Sequence, residues 1–218
     1  MFDFFVESVS QASAAQLALS IPLSDLRDGS DYGYTVATSS DLNNEERDVI
    51  WDIFQTNMHQ FYINSVFGWD PVSKQRELFD PLSRFVLVHQ QSQNLGDGNS
   101  SKWLVAYTMF RFDMEEGEEV VYCYELQVSK AAQQRGLGKI LMQSLVDIGH
   151  KWGMRKVMLT VLKRNTAAIK FYQSAGFTMD PISPEYQSDD DDEWVDEDDE
   201  GYDYEILSKS IAPSSMSL

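Results

Sequence analysis

The chain has 218 residues, enough for one domain of ordinary size with a full core, and its 43% hydrophobic and 12% aromatic content describes a folded globule. Seventeen basic residues against thirty-five acidic ones leave a net charge of −18, which speaks against a nucleic-acid backbone as ligand and for a cationic partner. One cysteine excludes an internal disulfide, three scattered histidines give no zinc spacing, no apolar run is long enough for a membrane span, and no basic residue precedes Arg27 as a secretory leader would require, so an intracellular protein is expected.

Along the chain, residues 2–20 predict a helix with Phe5, Val6, Val9, Ala12 and Leu17 roughly on one side. Residues 32–38 (YGYTVAT) read as a strand. Asp41 or Asn43 is placed to cap a helix that runs through Glu46, Ile50, Ile53, Phe54 and Phe61 and ends before Gly68. Asp70-Pro71 reads as a turn. Residues 85–88 predict a strand, and 102–113 with 119–128 a hairpin around Gly117. Residues 134–151 predict a helix with Leu137, Leu141, Leu145 and Ile148 in register, 157–162 a strand, 166–174 a helix and 202–207 a last strand. This order implies an α/β (α+β) chain with one central mixed sheet flanked by helices. We divide it into an N-terminal helical segment (1–30), one domain (31–210) containing an acidic loop (185–201), and a tail (211–218). Within the loop, residues 189–200 read DDDDEWVDEDDE, ten acids in twelve positions, a solvated run able to attract a basic substrate from a distance.

The strand YCYELQV (122–128) leads into QQRGLGK (133–139) and then an apolar helix. Gly136 and Gly138 allow close backbone approach, and the first free N–H groups of a helix suit an anion such as a phosphate. The spacing is neither the dinucleotide fingerprint nor a P-loop. Near the end of the chain stands NTAAIKFYQSAGF (165–177).

Together, Q-x-x-G-x-G and N-x-x-A-x-x-F-Y-x-x-x-G-F resemble the GCN5-related N-acetyltransferases. The resemblance implies that family's fold and acetyl-CoA as cosubstrate, with no metal. It implies the coenzyme pyrophosphate on Gln133, Arg135, Gly136, Leu137, Gly138 and Lys139, and the pantetheine arm along Leu126, Gln127 and Val128. Asn165 and Tyr172 are carried over as further coenzyme contacts, with Tyr172 as proton donor to the leaving thiolate. The segments FRFD (110–113), KVMLTV (156–161) and YEILS (204–208), with Asn57, Tyr62 and Gly68-Trp69, are similar to the branch that acetylates the N-terminal serine of histone H4 and 2A tails, which begin Ser-Gly-Arg-Gly. That implies basic tails as partners, the ribosome as another, no direct nucleic-acid or membrane binding, a monomer, and a cytoplasmic and nuclear location. The branch's lysine-rich N-terminal segment is missing here, and the acidic run is longer.

For chemistry, the amine must be neutral to attack a thioester. An α-amino group with a pKa of about 7.7–8.0 needs less help than a lysine at roughly 10.4. Glu125, alone in an apolar strand, is the candidate base acting through a water, or else a partner for a nearby cation. Strict alternation puts Tyr122, Tyr124 and Leu126 on one face and Cys123 with Glu125 on the other, unless a bulge intervenes. Tyr124 and Tyr122 position substrate or pack across strands. Asp113 and Glu115 share a face with Arg111. The resemblance assigns the two carboxylates to the arginine at substrate position three; the alternative is a surface cluster with Arg111. Tyr62, Phe67, Trp69, Thr160 and Tyr204 are expected around the first residues of the peptide, although Phe67 and Trp69 suit a core equally. Cys123, with no histidine beside it in sequence, is not read as a nucleophile. Because fold and coenzyme site do not set the acceptor, a lysine or polyamine acetyltransferase and a non-catalytic histone binder stay open.

Overall fold

The computed structural model describes residues 4–22, 31–92, 101–186 and 201–211. Its sheet is built from β1 (Tyr32–Thr38), β2 (Arg84–Ser92), β3 (Ser101–Glu115), β4 (Glu118–Val128), β5 (Lys156–Leu162), β6 (Thr178–Met179) and β7 (Tyr204–Ser210), in the order β1-β2-β3-β4-β5-β7-β6. Every pairing is antiparallel except β4 with β5. β3 and β4 are joined by a two-residue turn in which Glu116 (φ 48°) and Gly117 (φ 80°) are both left-handed, the turn whose twist matches a hairpin. The acidic run at 189–200 and the tail at 212–218 lie outside the described residues.

Helices cover both faces. On one side, α3 (Asn44–Tyr62) starts at Asn43, whose side chain and that of Glu46 close a reciprocal capping box, and buries Ile50, Ile53 and Phe54. Beside it lies α4 (Pro71–Leu78), where the expected Asp70-Pro71 turn is instead a helix start: Asp70 Oδ1 accepts from the N–H groups of Val72 and Ser73, each at 3.0 Å, and Pro71 takes the first position. The opposite face carries α5 (Leu137–Lys151) and α6 (Thr166–Ser174) over a core of Leu141, Leu145, Ile148, Val121 and Leu159. The helix expected from residue 134 begins only at Leu137, because Gly136 adopts φ 81°.

The single N-terminal helix expected over 2–20 is two short ones, α1 (Phe4–Val9) and α2 (Ala14–Ala18). Ser13 breaks the run by capping the second, its hydroxyl accepting from the Gln16 N–H. Val9, Ala12, Leu17 and Ile21 of this segment are buried in the α5-side core, and Trp152 Nε1 donates to Ser20 Oγ at 2.9 Å. The buried Arg84 guanidinium donates to the Ser10 carbonyl and ties the segment to β2.

One irregularity decides the site. The β3–β4 register pairs Met109 with Glu125 but Phe110 with Cys123, so Tyr124 is an extra residue. This is a β-bulge, and it reverses the facing of the strand beyond it. Cys123 therefore packs in the α5-side core, whereas Tyr124 joins the α3–α4 side and Glu125 meets a lysine of α4. The alternation that placed Cys123 and Glu125 on one face fails here for that reason.

Candidate active site

β4 pairs with β5 only from Val120–Lys156 to Cys123–Leu159. Both strands continue, β4 to Val128 and β5 to Leu162, so the parallel ladder opens into a wedge beside Leu126, Gln127 and Val128. At the end of β4 a short 3₁₀ turn at Lys130–Ala132 feeds the loop to α5. Gly136 is the N-cap in the left-handed conformation, with no side-chain cap on the helix, which leaves the first N–H groups for an external acceptor. A Cβ on Gly136 would meet nothing within 4 Å, so its glycine answers to backbone conformation. Gly138 is held closer: a Cβ there would lie 3.4 Å from the Phe171 ring and 3.6 Å from Leu126.

The other expected coenzyme contacts divide by side chain and backbone. Arg135 and Lys139 are exposed, and Arg135 Nη1 donates to Tyr32 Oη at 2.9 Å. Leu137 is buried in the core, so only its backbone faces the loop. Gln133 Nε2 donates to the Val128 carbonyl at 3.2 Å. Asn165 caps α6, its Oδ1 accepting from the Ala168 N–H. Tyr172 is buried beside Phe171 and Phe177, and burial, then the nearby Cys123 and Glu125, push its hydroxyl well above the usual tyrosine range.

On the far side of the sheet, Glu125 is 5% exposed. Its Oε1 lies 2.7 Å from Lys74 Nζ of α4, and its Oε2 accepts from Gln127 Nε2 at 2.7 Å. Asn57 of α3 fixes Gln127 in turn, donating to its Oε1 and to the Val128 carbonyl at 3.0 Å each. The expected partner cation for Glu125 thus exists, and it is Lys74. Burial raises the Glu125 carboxyl above the ordinary range, opposed by the charge and hydrogen bond of Lys74. The hydroxyl of Tyr107 on β3 is fully buried without a partner, in the field of Glu125 and Tyr62.

A belt of side chains surrounds this carboxylate. Trp69 packs against Phe54 (6.0 Å between ring centroids), Tyr62 (6.3 Å) and His59 (4.6 Å). Phe67, 49% exposed, bridges Tyr62 (6.2 Å) and Tyr204 (5.2 Å). Trp69 is therefore anchored in an aromatic cluster, while Phe67 stands at the surface. The Tyr122 hydroxyl, pushed up to about 12 by burial, shares a 2.6 Å hydrogen bond with Thr160 Oγ1, and the Tyr122 ring lies 5.1 Å from that of Tyr124. Next to Tyr124 come Asp113 and Glu115, with Tyr124 Oη 3.5 Å from Asp113 Oδ2.

Arg111 does not neutralise those carboxylates. It donates to Ser83 Oγ at 3.2 Å and to the Glu77 carbonyl, and its guanidinium sits 4.6 Å from the centre of the Tyr124 ring. Lys156 is likewise engaged, with Asp180 (2.9 Å) and Glu118 (3.1 Å). Among the described residues no cation forms an ion pair with Asp113 or Glu115. Partial burial, and then the like charges of Asp113 and Glu116, raise the Glu115 carboxyl, opposed by the more distant charge of Lys156. Cys123 is 3% exposed and its thiol is pushed up to about 12 by burial, which makes it inert. Among the described residues no cluster of His, Cys, Asp and Glu has the makeup of a metal site, and no helix is long and apolar enough to cross a membrane.

The sequence did not bring Lys74 to the site, nor did it show that the side chain of Gln127, expected along the coenzyme arm, is held between Asn57 and Glu125. The signal for Lys74 was the Asp-Pro helix start at residues 70–71, which places it on the first turn of α4.

A strand that leaves its parallel neighbour just before a glycine-bearing helix start, with a buried carboxylate across the sheet, defines an acyltransferase-type site. The chain belongs to the acetyltransferase (GNAT) family, whose model matches residues 50–177. It is 44% identical over 54 residues to the mycothiol acetyltransferase of Renibacterium salmoninarum; that stretch is 25% of this chain and 16% of the relative, so only a small part of the relative's length is spanned. Its fold is similar to the ribosomal-protein-S18-alanine N-acetyltransferase of Escherichia coli (20% identity, 85% of this chain and 99% of that one, TM-score 0.51). It is also similar to a putative acetyltransferase of Salmonella typhimurium solved with its cofactor acetyl-CoA (17% identity, 84% and 99%, TM-score 0.50).

Proposed function

We propose that the chain transfers the acetyl group of acetyl-CoA to the N-terminal serine amine of basic tails beginning Ser-Gly-Arg-Gly, those of histones H4 and 2A, as N-terminal acetyltransferase D does. The observation that carries this reading is the pair Asp113 and Glu115, in no ion pair among the described residues, at the rim of an aromatic belt that leads to the buried Glu125. Two such carboxylates suit a guanidinium, which they can bind with directional, charge-assisted bonds. The tails would be met in the cytoplasm, at the ribosome or in the nucleus.

Acetyl-CoA supplies the acetyl group as an activated thioester. The left-handed Gly136, the uncapped start of α5 and the wedge between β4 and β5 fit the coenzyme: N–H groups for the pyrophosphate, and an open strand edge for its arm. Tyr62, Phe67, Trp69 and Tyr204 would wall the first residues of the peptide and leave little room beside a serine side chain. Glu125 takes the amine proton through a water. As the C–N bond forms and the thioester C–S bond breaks, Tyr172, which keeps its proton at neutral pH, donates it to sulfur. Mass spectrometry of a Ser-Gly-Arg-Gly peptide incubated with enzyme and acetyl-CoA tests the reading. Acetylation of the free N-terminus, and none of an N-terminally blocked peptide carrying lysine, is expected. Acetyl on lysine alone would overturn it.

A further inference from the structure

Glu125 sits where a carboxylate on its own would hold a proton and be useless as a base. Titratable groups surround it on both sides of the sheet: Lys74 and Glu77 of α4, Tyr62 of α3 and Tyr107 of β3 on its own side, and Cys123 and Tyr172 of α6 in the opposite core. Of these, Lys74 alone is a cation. Its side chain is 10% exposed and lies between the Phe54 ring (5.1 Å) and the Tyr62 ring (5.4 Å), with Glu77 as a second carboxylate partner. The rings and the first turn of α4 confine the amine, so it stands as a fixed positive charge. With Lys74 on one oxygen and Gln127 on the other, each Glu125 oxygen keeps a free lone pair for a water or an amine.

We propose that Lys74 is the positioning residue of the catalytic base: it holds Glu125 in place and ionised inside the apolar sheet, so that the two act as one charge pair. The inference rests on the reading of Glu125 as the base. Lys74 does not touch the reacting atoms. Its effect is on which pH leaves Glu125 able to accept a proton. Removing the positive charge lets the carboxylate hold its proton to higher pH, so the acidic limb of kcat/KM must move upward.

The test is the pH profile of kcat/KM for peptide acetylation by the wild type, Lys74→Met and Lys74→Arg. We expect Lys74→Met to move the acidic limb up by at least one pH unit, with most of the rate regained on the alkaline side and acetyl-CoA affinity unchanged by calorimetry. Lys74→Arg should return the limb most of the way. A Lys74→Met enzyme with a lowered melting temperature but an unmoved limb would overturn the proposal, since a purely structural lysine does only that. A second readout needs neither substrate nor a change at Lys74: the Nζ resonance of Lys74, titrated by NMR in the wild type and in Glu125→Gln. Its apparent pKa should fall by more than one unit in the variant, where Glu77 is the one carboxylate partner left to the amine; no change would overturn the pairing. If the wild type acetylates no N-terminus, the proposed function fails, while the NMR titration still decides the charge pair.

Discussion

The loop at residues 133–139 and the belt around Glu125 flank the same strand and are made of opposite materials. The loop is one contiguous stretch whose work falls to backbone: Gly136 at φ 81°, an uncapped helix start, and Gly138 against Phe171. The belt is made of side chains from α3, the segment between α3 and α4, α4, β3, β4, β5 and β7, which are far apart in the chain. A local feature tolerates change elsewhere and is sensitive to one glycine. A convergent feature depends on register: the bulge at Tyr124 turns Glu125 toward Lys74 and leaves Cys123 inert in the opposite core.

The sharpest way to separate the two regions is to disable each alone. Glu125→Gln should lower kcat by about 10²–10⁴-fold, the range for a lost general base, while calorimetric acetyl-CoA binding stays as it was. Part of the rate should return at high pH, where more amine is neutral in solution. In the wild type, because burial raises the Glu125 carboxyl, activity should fail on the acid side at a pH above the ordinary carboxylate range: the base is lost as pH falls through that raised value. Gly136→Asp is the mirror experiment. A left-handed position costs an L-residue about 1–2 kcal/mol, and a carboxylate opposes an anion, so coenzyme affinity should drop about a hundredfold by calorimetry.

Within the belt, contact and distant charge can be told apart by salt. An Arg-to-Ala peptide (Ser-Gly-Ala-Gly) should lose on the order of ten- to a hundredfold in kcat/KM, from charge-assisted bonds worth about 1.5–3 kcal/mol, and Asp113→Ala with Glu115→Ala should erase the difference between the two peptides. Lysine at that position should recover only part of the rate, since a point charge cannot make the two-pronged contact. Substituting the acids of residues 189–200 with asparagine should give the smallest effect, a loss of about a few-fold at low salt that vanishes near 1 M, where screening reaches about 3 Å. Equal reaction of both peptides with the intact enzyme would break the assignment of Asp113 and Glu115.

What was legible in the sequence follows the range of the physics. Strand β1 and helix α6 were readable to the residue, and the hairpin at Gly117 to about two residues at its strand ends, because each is decided by neighbours a few positions apart. The α4 helix was legible in principle, from Asp70 as cap and Pro71 after it, but a dipeptide that makes a turn as easily as a helix start carries too little information alone. The break at Ser13 and the late start of α5 failed similarly, where one cap or one positive φ outweighed an apolar repeat.

Sequence by itself determined the α/β order of elements, the glycine-bearing helix start and the presence of a lone acid in an apolar strand, all set by local conformational preference and side-chain periodicity. The tertiary structure alone decided which face that acid occupies and that Lys74, fifty-one residues earlier, keeps it company. It alone decided that Arg111 is spent on Ser83, Glu77 and the Tyr124 ring, so that among the described residues Asp113 and Glu115 form no ion pair. Facing and partnership depend on strand register and on which helix packs over it, and a one-residue bulge changes both while altering nothing that a periodic pattern records.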